Sequence, residues 1–318
     1  MYKIMTPGPT QVLENVRMAR SLECTNPDLD PQFYDEYRDT CQLISELLHT
    51  GEETLILSGE GILGLEAACA SMTEPGDRVL VLDNGIYGKG FADFVKIYGG
   101  EPVLYTRDYL ETLDVGELET YLEQDHAFKY ATVVHCDTPS GMLNDISQIC
   151  PLLKKYGILT VVDSVAGMFG NEVWAEKSQI DILCGGSQKA VSAPRTDLVT
   201  VSQDAKEAMA ARRTRRLSMR IPIFEGYYEK QWFPYTMPIS DIYGLRQAME
   251  NIRQDTGLYV RHEKLQRRCG LRCENLVQDF TEKWYSNTVS VFDVPAGVTA
   301  VQILETVLRF QYSVGRIL

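Results

Sequence analysis

A lysine amine becomes a nucleophile toward aldehydes when burial disfavours its charged form. Gly185-Gly186-Ser187-Gln188-Lys189 offers such a setting, because it follows the apolar run Ile180–Cys184. Read alone, it is more readily a loop carrying a solvated lysine. Asp163 closes the run Leu159-Thr160-Val161-Val162-Asp163. A carboxylate there pairs with a protonated ring nitrogen or caps the next turn. Ser58-Gly59-Glu60-Gly61-Ile62-Leu63-Gly64 joins an apolar run to an Ala-rich stretch. Glycines let backbone approach a ligand, and a helix start offers free amides to a phosphate, although many helices begin this way. Gly59-x-Gly61-x-x-Gly64 lacks the spaced acidic residue of a dinucleotide fingerprint. Asp83-Asn84-Gly85-Ile86-Tyr87-Gly88 supplies a ring that stacks on a planar heterocycle or simply packs. His135-Cys136-Asp137-Thr138-Pro139-Ser140-Gly141 supplies the Thr138 hydroxyl and reads otherwise as a turn.

Ligands in open α/β sheets sit at the carboxyl ends of the strands. The spacing predicts strands at 54–57, 78–82, 101–104, 131–135, 159–163, 180–184 and 198–201. Helices are expected at 31–48, 61–71, 87–98, 114–123, 146–156, 203–216 and 240–280. Short apolar strands alternating with helices predict an α/β fold whose largely parallel sheet is covered on both faces. A strand at 288–294 and a helix at 299–311 suggest a smaller α+β unit, dividing the chain into 1–240 and 241–318.

The 318 residues carry 31 Lys+Arg against 44 Asp+Glu, a net charge of −13. Such a surface repels phosphate backbones, which argues against nucleic acid as a partner. Hydrophobic residues at 44% fit a globular protein and exclude a disordered chain. The eight cysteines are scattered, several within apolar runs, as reduced cytosolic cysteines are. Cys269 and Cys273 share a helical spacing, yet no second pair completes a metal site. No signal-peptide core and no apolar stretch of about 20 residues is present, so no membrane span is expected and the cytoplasm is the default location.

A phosphate loop, a stacking aromatic, a hydroxyl, a carboxylate for a ring nitrogen and a lysine are together the parts of a pyridoxal phosphate site. Thr6-Pro7-Gly8-Pro9, Asn84-Gly85-Ile86-Tyr87-Gly88, Val162-Asp163-Ser164-Val165-Ala166 and Asp181 through Ala190 carry a resemblance to class V aminotransferases. The similar group comprises the alanine–glyoxylate, serine–pyruvate and 2-aminoethylphosphonate–pyruvate enzymes, and the resemblance runs from residue 4 to about residue 310. It implies fold type I, with a mainly parallel seven-stranded sheet and a smaller, here shortened, C-terminal unit. It implies that Lys189 holds the cofactor as an aldimine and shuttles the Cα proton. Asp163 would keep the pyridine nitrogen protonated, Tyr87 would stack on the ring and Thr138 would bond the ring hydroxyl. Gln188 and the amides of Glu60, Gly61 and Ile62 would hold the phosphate. Thr236 would reach the neighbouring subunit's phosphate, making the active unit a homodimer. The reaction implied moves an amino group from a small amino acid to pyruvate or glyoxylate.

The sequence departs from this pattern in places. Glu60 stands where the family has a small hydroxyl residue, and it fits only if its carboxylate points away and its amide points in. The family continues past the position of Leu318 with an arginine for the substrate carboxylate; Arg316 shares only its immediate neighbours and is not expected to serve. That shortening points to weak or altered activity. Arg195 replaces Pro or Gly, with no role evident from sequence. Arg212, Arg213, Arg215, Arg216 and Arg220 are expected to be a solvated helix end or a dimer contact. Two other readings stand beside the leading one. A cysteine desulfurase would place His where Gln188 stands, and a non-catalytic relative would bind cofactor without turnover.

Overall fold

Every residue of Tyr130-Ala131-Thr132-Val133-Val134 is buried, as are all of Ile182–Gly186 and Asp197–Val201. Strands apolar on both faces require covering layers on both sides. The computed structural model, which describes residues 3–23, 26–212, 220–272, 285–291, 294, 296–309 and 312–314, supplies them.

In chain order the elements are β1 (Lys3–Met5), α1 (Glu14–Ala19), α2 (Pro31–Leu47), β2 (Glu53–Leu57), α3 (Gly61–Met72), β3 (Arg78–Asp83), α4 (Ile86–Ile97) and β4 (Glu101–Thr106). Then come α5 (Val115–Gln124), β5 (Tyr130–Val134), α6 (Ile146–Lys155), β6 (Leu159–Asp163), β7 (Ile182–Gly186), β8 (Asp197–Val201) and α7 (Gln203–Ala210). A 3-10 turn (Ile221–Phe224), α8 (Tyr227–Lys230), α9 (Ile239–Gln254), α10 (Leu258–Arg272), α11 (Ala300–Arg309) and β9 (Tyr312–Val314) follow.

The main sheet has seven strands in the order β2-β8-β7-β6-β5-β3-β4. Pairs β3–β4, β3–β5, β5–β6 and β6–β7 are parallel, whereas β8 runs antiparallel to both β7 and β2. β1 and β9 form a separate parallel pair. The central β-branched and leucine side chains are fully buried, each stabilising the fold by about 1.5–3 kcal/mol. α2 begins where Asp30 accepts the Gln32 N–H at 2.9 Å and Pro31 supplies a preset φ.

Several boundaries differ from expectation. The strand expected at 180–184 is Ile182–Gly186, because both glycines pair with β8. The long helix expected at 240–280 breaks at Asp255-Thr256-Gly257, where Asp255 accepts the Gly257 N–H at 3.2 Å and salt-bridges Arg261. Residues 273–280 lie outside the described residues, as do 213–216 of the helix expected at 203–216, whose described part, α7, stops at Ala210. The strand expected at 288–294 does not form over residues 288–291. Ser286 Oγ accepts the Thr288 N–H at 3.1 Å and Thr288 donates its hydroxyl to the Ala166 carbonyl at 2.7 Å, so local side-chain bonds replace a ladder. The division expected at residue 240 falls at the start of α9, whose Ile242, Leu245 and Met249 are buried in the main core. Cys41, Cys69, Cys136, Cys150 and Cys184 are buried free thiols. Among the described residues no helix is long and apolar enough to cross a membrane, and no cluster of metal-binding side chains is present.

Candidate active site

Three parallel strands end side by side, with Val134 opposite Asp163 and Asp163 opposite Cys184. Thr138 and Lys189 lie a few residues beyond the outer two, in the loops that leave the same end of the sheet as Asp163. Asp163 is 6% exposed, and its Oδ1 accepts the Val165 N–H at 2.9 Å. Burial raises its carboxyl to about 6, while the Lys189 charge pulls the other way. Burial in turn lowers the Lys189 amine, opposed by Asp163. Each group therefore lies within the other's field, and desolvation moves both toward their neutral forms.

The N-terminal arm clamps this lysine. Thr10 donates its N–H to the Gln188 carbonyl at 2.9 Å and its hydroxyl to the Lys189 carbonyl at 2.6 Å. Lys189 Nζ donates to the Pro7 carbonyl at 3.3 Å. Gly8 has φ +146°, which side chains rarely adopt, and a Cβ there would lie 2.5 Å from Lys189 Cδ, so a larger residue would push the end of the lysine aside. Thr6-Pro7-Gly8-Pro9 was legible as a signature, but its role as the wall of the lysine was not.

Ser187 builds the loop that carries Lys189. Its hydroxyl donates to the Pro194 carbonyl and accepts the Thr196 N–H at 2.8 Å, while its own N–H donates to the Thr196 carbonyl at 3.0 Å. His135 supports Asp163 from behind, donating its N–H to the Asp163 carbonyl at 2.8 Å. The buried His135 ring is 2.8 Å from Ser164 Oγ, and burial lowers its pKa to about 4, so it is neutral. Its position at a strand end was visible in sequence without indicating this supporting role. Beside it, Asp137 accepts from the Ser140 N–H and hydroxyl at 3.1 and 2.8 Å.

At the other end of the site, the Glu60 backbone (φ −97°, ψ 165°) opens α3, and its side chain makes no capping bond. The first N–H groups of a helix have no partners within it, so those of Gly61 and Ile62 are available to an anion. A Cβ on Gly61 would lie 2.3 Å from Val165 Cγ2, so this helix start presses on the loop after Asp163. Gly64 donates its N–H to the buried Asp197 carboxylate. Glu60 and Arg195, both unexplained by sequence, meet at 3.0 Å. The antiparallel register causes this: Leu57 lies opposite Asp197, so the residues just after β2 and just before β8 share one edge.

Gln188 is 7% exposed, and its Oε1 is buried without a hydrogen-bond partner. A carboxamide turns about its terminal torsion to present NH2 to an anion. The orphaned amide, the open α3 amides and the glycine cradle fit the phosphate, ring and aldehyde of pyridoxal phosphate. Tyr87, in the first turn of α4, is 48% exposed, and Thr138 is buried. Thr236 is exposed, and the hydroxyl of its neighbour Tyr235 accepts the Ser58 N–H at 3.1 Å, which lays this segment beside the loop that leads from β2 into α3 of its own chain.

The arginine cluster is not simply solvated. Arg212 pairs with Asp77 at 2.7 Å, the side chains only 10% and 12% exposed, and the pairing offsets the cost of taking both charges out of water. Arg220 lines a cavity of about 290 Å³ with Leu57, Ser58, Leu63 and Tyr235. Arg213, Arg215, Arg216, Arg316, Cys273 and the Cys269 side chain lie outside the described residues.

The family profile for aminotransferase class-V matches residues 6–277. An uncharacterized aminotransferase of Methanocaldococcus jannaschii is 28% identical over 302 residues, spanning 93% of this chain and 78% of that protein. A 2-aminoethylphosphonate–pyruvate transaminase of Bacillus mycoides is 25% identical over 327 residues, covering 98% and 88%. The crystal structure of an alanine–glyoxylate aminotransferase from Nostoc sp. superposes with a TM-score of 0.95 at 25% identity, covering 100% of this chain and 86% of that one. With most of its length matched by the family and a fold shared from end to end, the chain belongs to the class-V aminotransferases, enzymes that depend on pyridoxal phosphate.

Proposed function

We propose that this aminotransferase moves an amino group from a small donor of the alanine, serine or 2-aminoethylphosphonate type to pyruvate or glyoxylate. The single observation that carries the reading is the opposed pair Lys189 and Asp163 at adjacent strand ends, each within the other's field. The Bacillus mycoides and Nostoc relatives, named for pyruvate and glyoxylate, support the acceptor class.

When bound, pyridoxal phosphate supplies an aldehyde that condenses with amines and a ring that accepts the electron pair left at Cα. Lys189, favoured in its neutral form by burial, takes the Cα proton and returns it on the other side of the transfer. Asp163 holds a proton on the ring nitrogen, and the Val165 N–H fixes its orientation. Tyr87 covers the ring and Thr138 bonds its hydroxyl. Gln188 and the amides of Glu60, Gly61 and Ile62 bind the phosphate. The same reading makes the active unit a cytoplasmic homodimer in which Thr236 reaches the neighbouring subunit's phosphate. It divides the chain into a cofactor-binding unit, 1–240, and a smaller unit, 241–318, joined through α9.

The test is a half-reaction. Mixing the cofactor-loaded protein with alanine, serine or 2-aminoethylphosphonate, each in turn, converts bound pyridoxal phosphate to its pyridoxamine form with release of the matching oxo product. No spectral change with any of these donors would overturn the reading.

A further inference from the structure

The Glu60–Arg195 pair stands at the phosphate end of the site, and its exposure argues against a role in stability. The two side chains are 44% and 65% exposed, and exposed ion pairs contribute little to folding. Its position, however, matters to an anion. Glu60 immediately precedes the open amides of Gly61 and Ile62, and its field reaches Lys189. An uncompensated carboxylate there would face a phosphate dianion bound to those amides. It would also be free to turn back onto them, since acidic side chains favour helix N-termini. In the structure it does neither, because Arg195 draws it aside at 3.0 Å. The loop that presents Arg195 is fixed by Ser187 through Pro194 and Thr196 on either side of it. The pair is therefore held in contact beside the start of α3.

We propose that Arg195 is a positioning residue for cofactor binding: it neutralises Glu60 and holds it away from the α3 amides, so that a phosphate group can dock there. This rests on the assignment of residues 60–62 to the phosphate. A single charge opposing a dianion across a few ångströms of water-like medium weakens binding by about tenfold.

The experiment measures equilibrium affinity of cofactor-free protein for pyridoxal phosphate and for pyridoxal, which lacks the phosphate. Wild type binds the phosphorylated form far more tightly. Arg195→Met weakens pyridoxal phosphate binding about tenfold and leaves pyridoxal unchanged, and raised salt shrinks the deficit. Glu60→Gln added to Arg195→Met restores affinity to within about threefold of wild type, and Arg195→Lys retains most of it. The inference is overturned if Arg195→Met binds pyridoxal phosphate like wild type, if it loses both ligands equally, or if Glu60→Gln gives no rescue. Should wild type bind both ligands equally, the phosphate assignment itself falls and takes the inference with it. Should wild type bind neither, the functional reading falls first.

Discussion

The two ends of this site are built on opposite physical terms. At the ring end, three parallel strands deliver Thr138, Asp163 and Lys189 into buried surroundings, where desolvation sets the charge states. At the phosphate end, the antiparallel strand β8 brings two loops together, and the charges of Glu60 and Arg195 remain half in water. Burial makes the ring end sensitive to single atoms. Exposure makes the phosphate end sensitive to net charge and salt, and nearly indifferent to it in stability.

The largest effects belong to the ring end. Lys189→Ala should lower transamination by about 10³-fold or more, because both the bond to the cofactor and the proton carrier are lost; steady-state turnover checks this. Gly8→Ala should cost about 10- to 100-fold in turnover, since the new Cβ displaces the lysine stem and the φ of +146° is unfavourable for alanine. Turnover near wild type would show that the arm does not position the amine.

Asp163 also gives this end a pH signature. In the cofactor-free fold its carboxyl is raised to about 6, so folding favours the protonated form below that pH. That contribution is present in full below about pH 4 and is lost as pH rises through about 6. Asp163→Asn removes the loss, so the cofactor-free variant should gain up to about 3 kcal/mol on wild type between those limits. Denaturant unfolding at several pH values measures it. His135 works in the opposite sense, since its lowered pKa adds stability as pH rises from about 4.

Smaller effects probe the loop between the two ends. Ser187→Ala leaves the Pro194 carbonyl and Thr196 N–H without their partner and should cost about 1–3 kcal/mol in unfolding. Arg195→Met should change unfolding stability by less than about 1 kcal/mol, the smallest effect of all. A larger loss would erase the contrast between the two ends.

Legibility in the sequence follows the same division. The parallel strands announce themselves as apolar runs, and residues at and just past their ends, Asp163 and Lys189 among them, are natural candidates. The turn of β8 could not, because an antiparallel strand buried on both faces has the same apolar pattern as a parallel one. Glu60 and Arg195 therefore looked like two separate anomalies, although the register makes them neighbours. The clamp of Pro7 and Gly8 on Lys189 spans nearly the whole large unit, a distance that no local pattern encodes. The break at Asp255 was missed because helical periodicity resumes after it, while Asp-Thr-Gly supplied the turn signal.

The central claim is that one lysine, set against one carboxylate, holds the cofactor. Borohydride reduction of the cofactor-loaded protein, followed by peptide mass mapping, tests it most directly. The account predicts a phosphopyridoxyl label on Lys189 alone, and a label on any other lysine, or none, would contradict it.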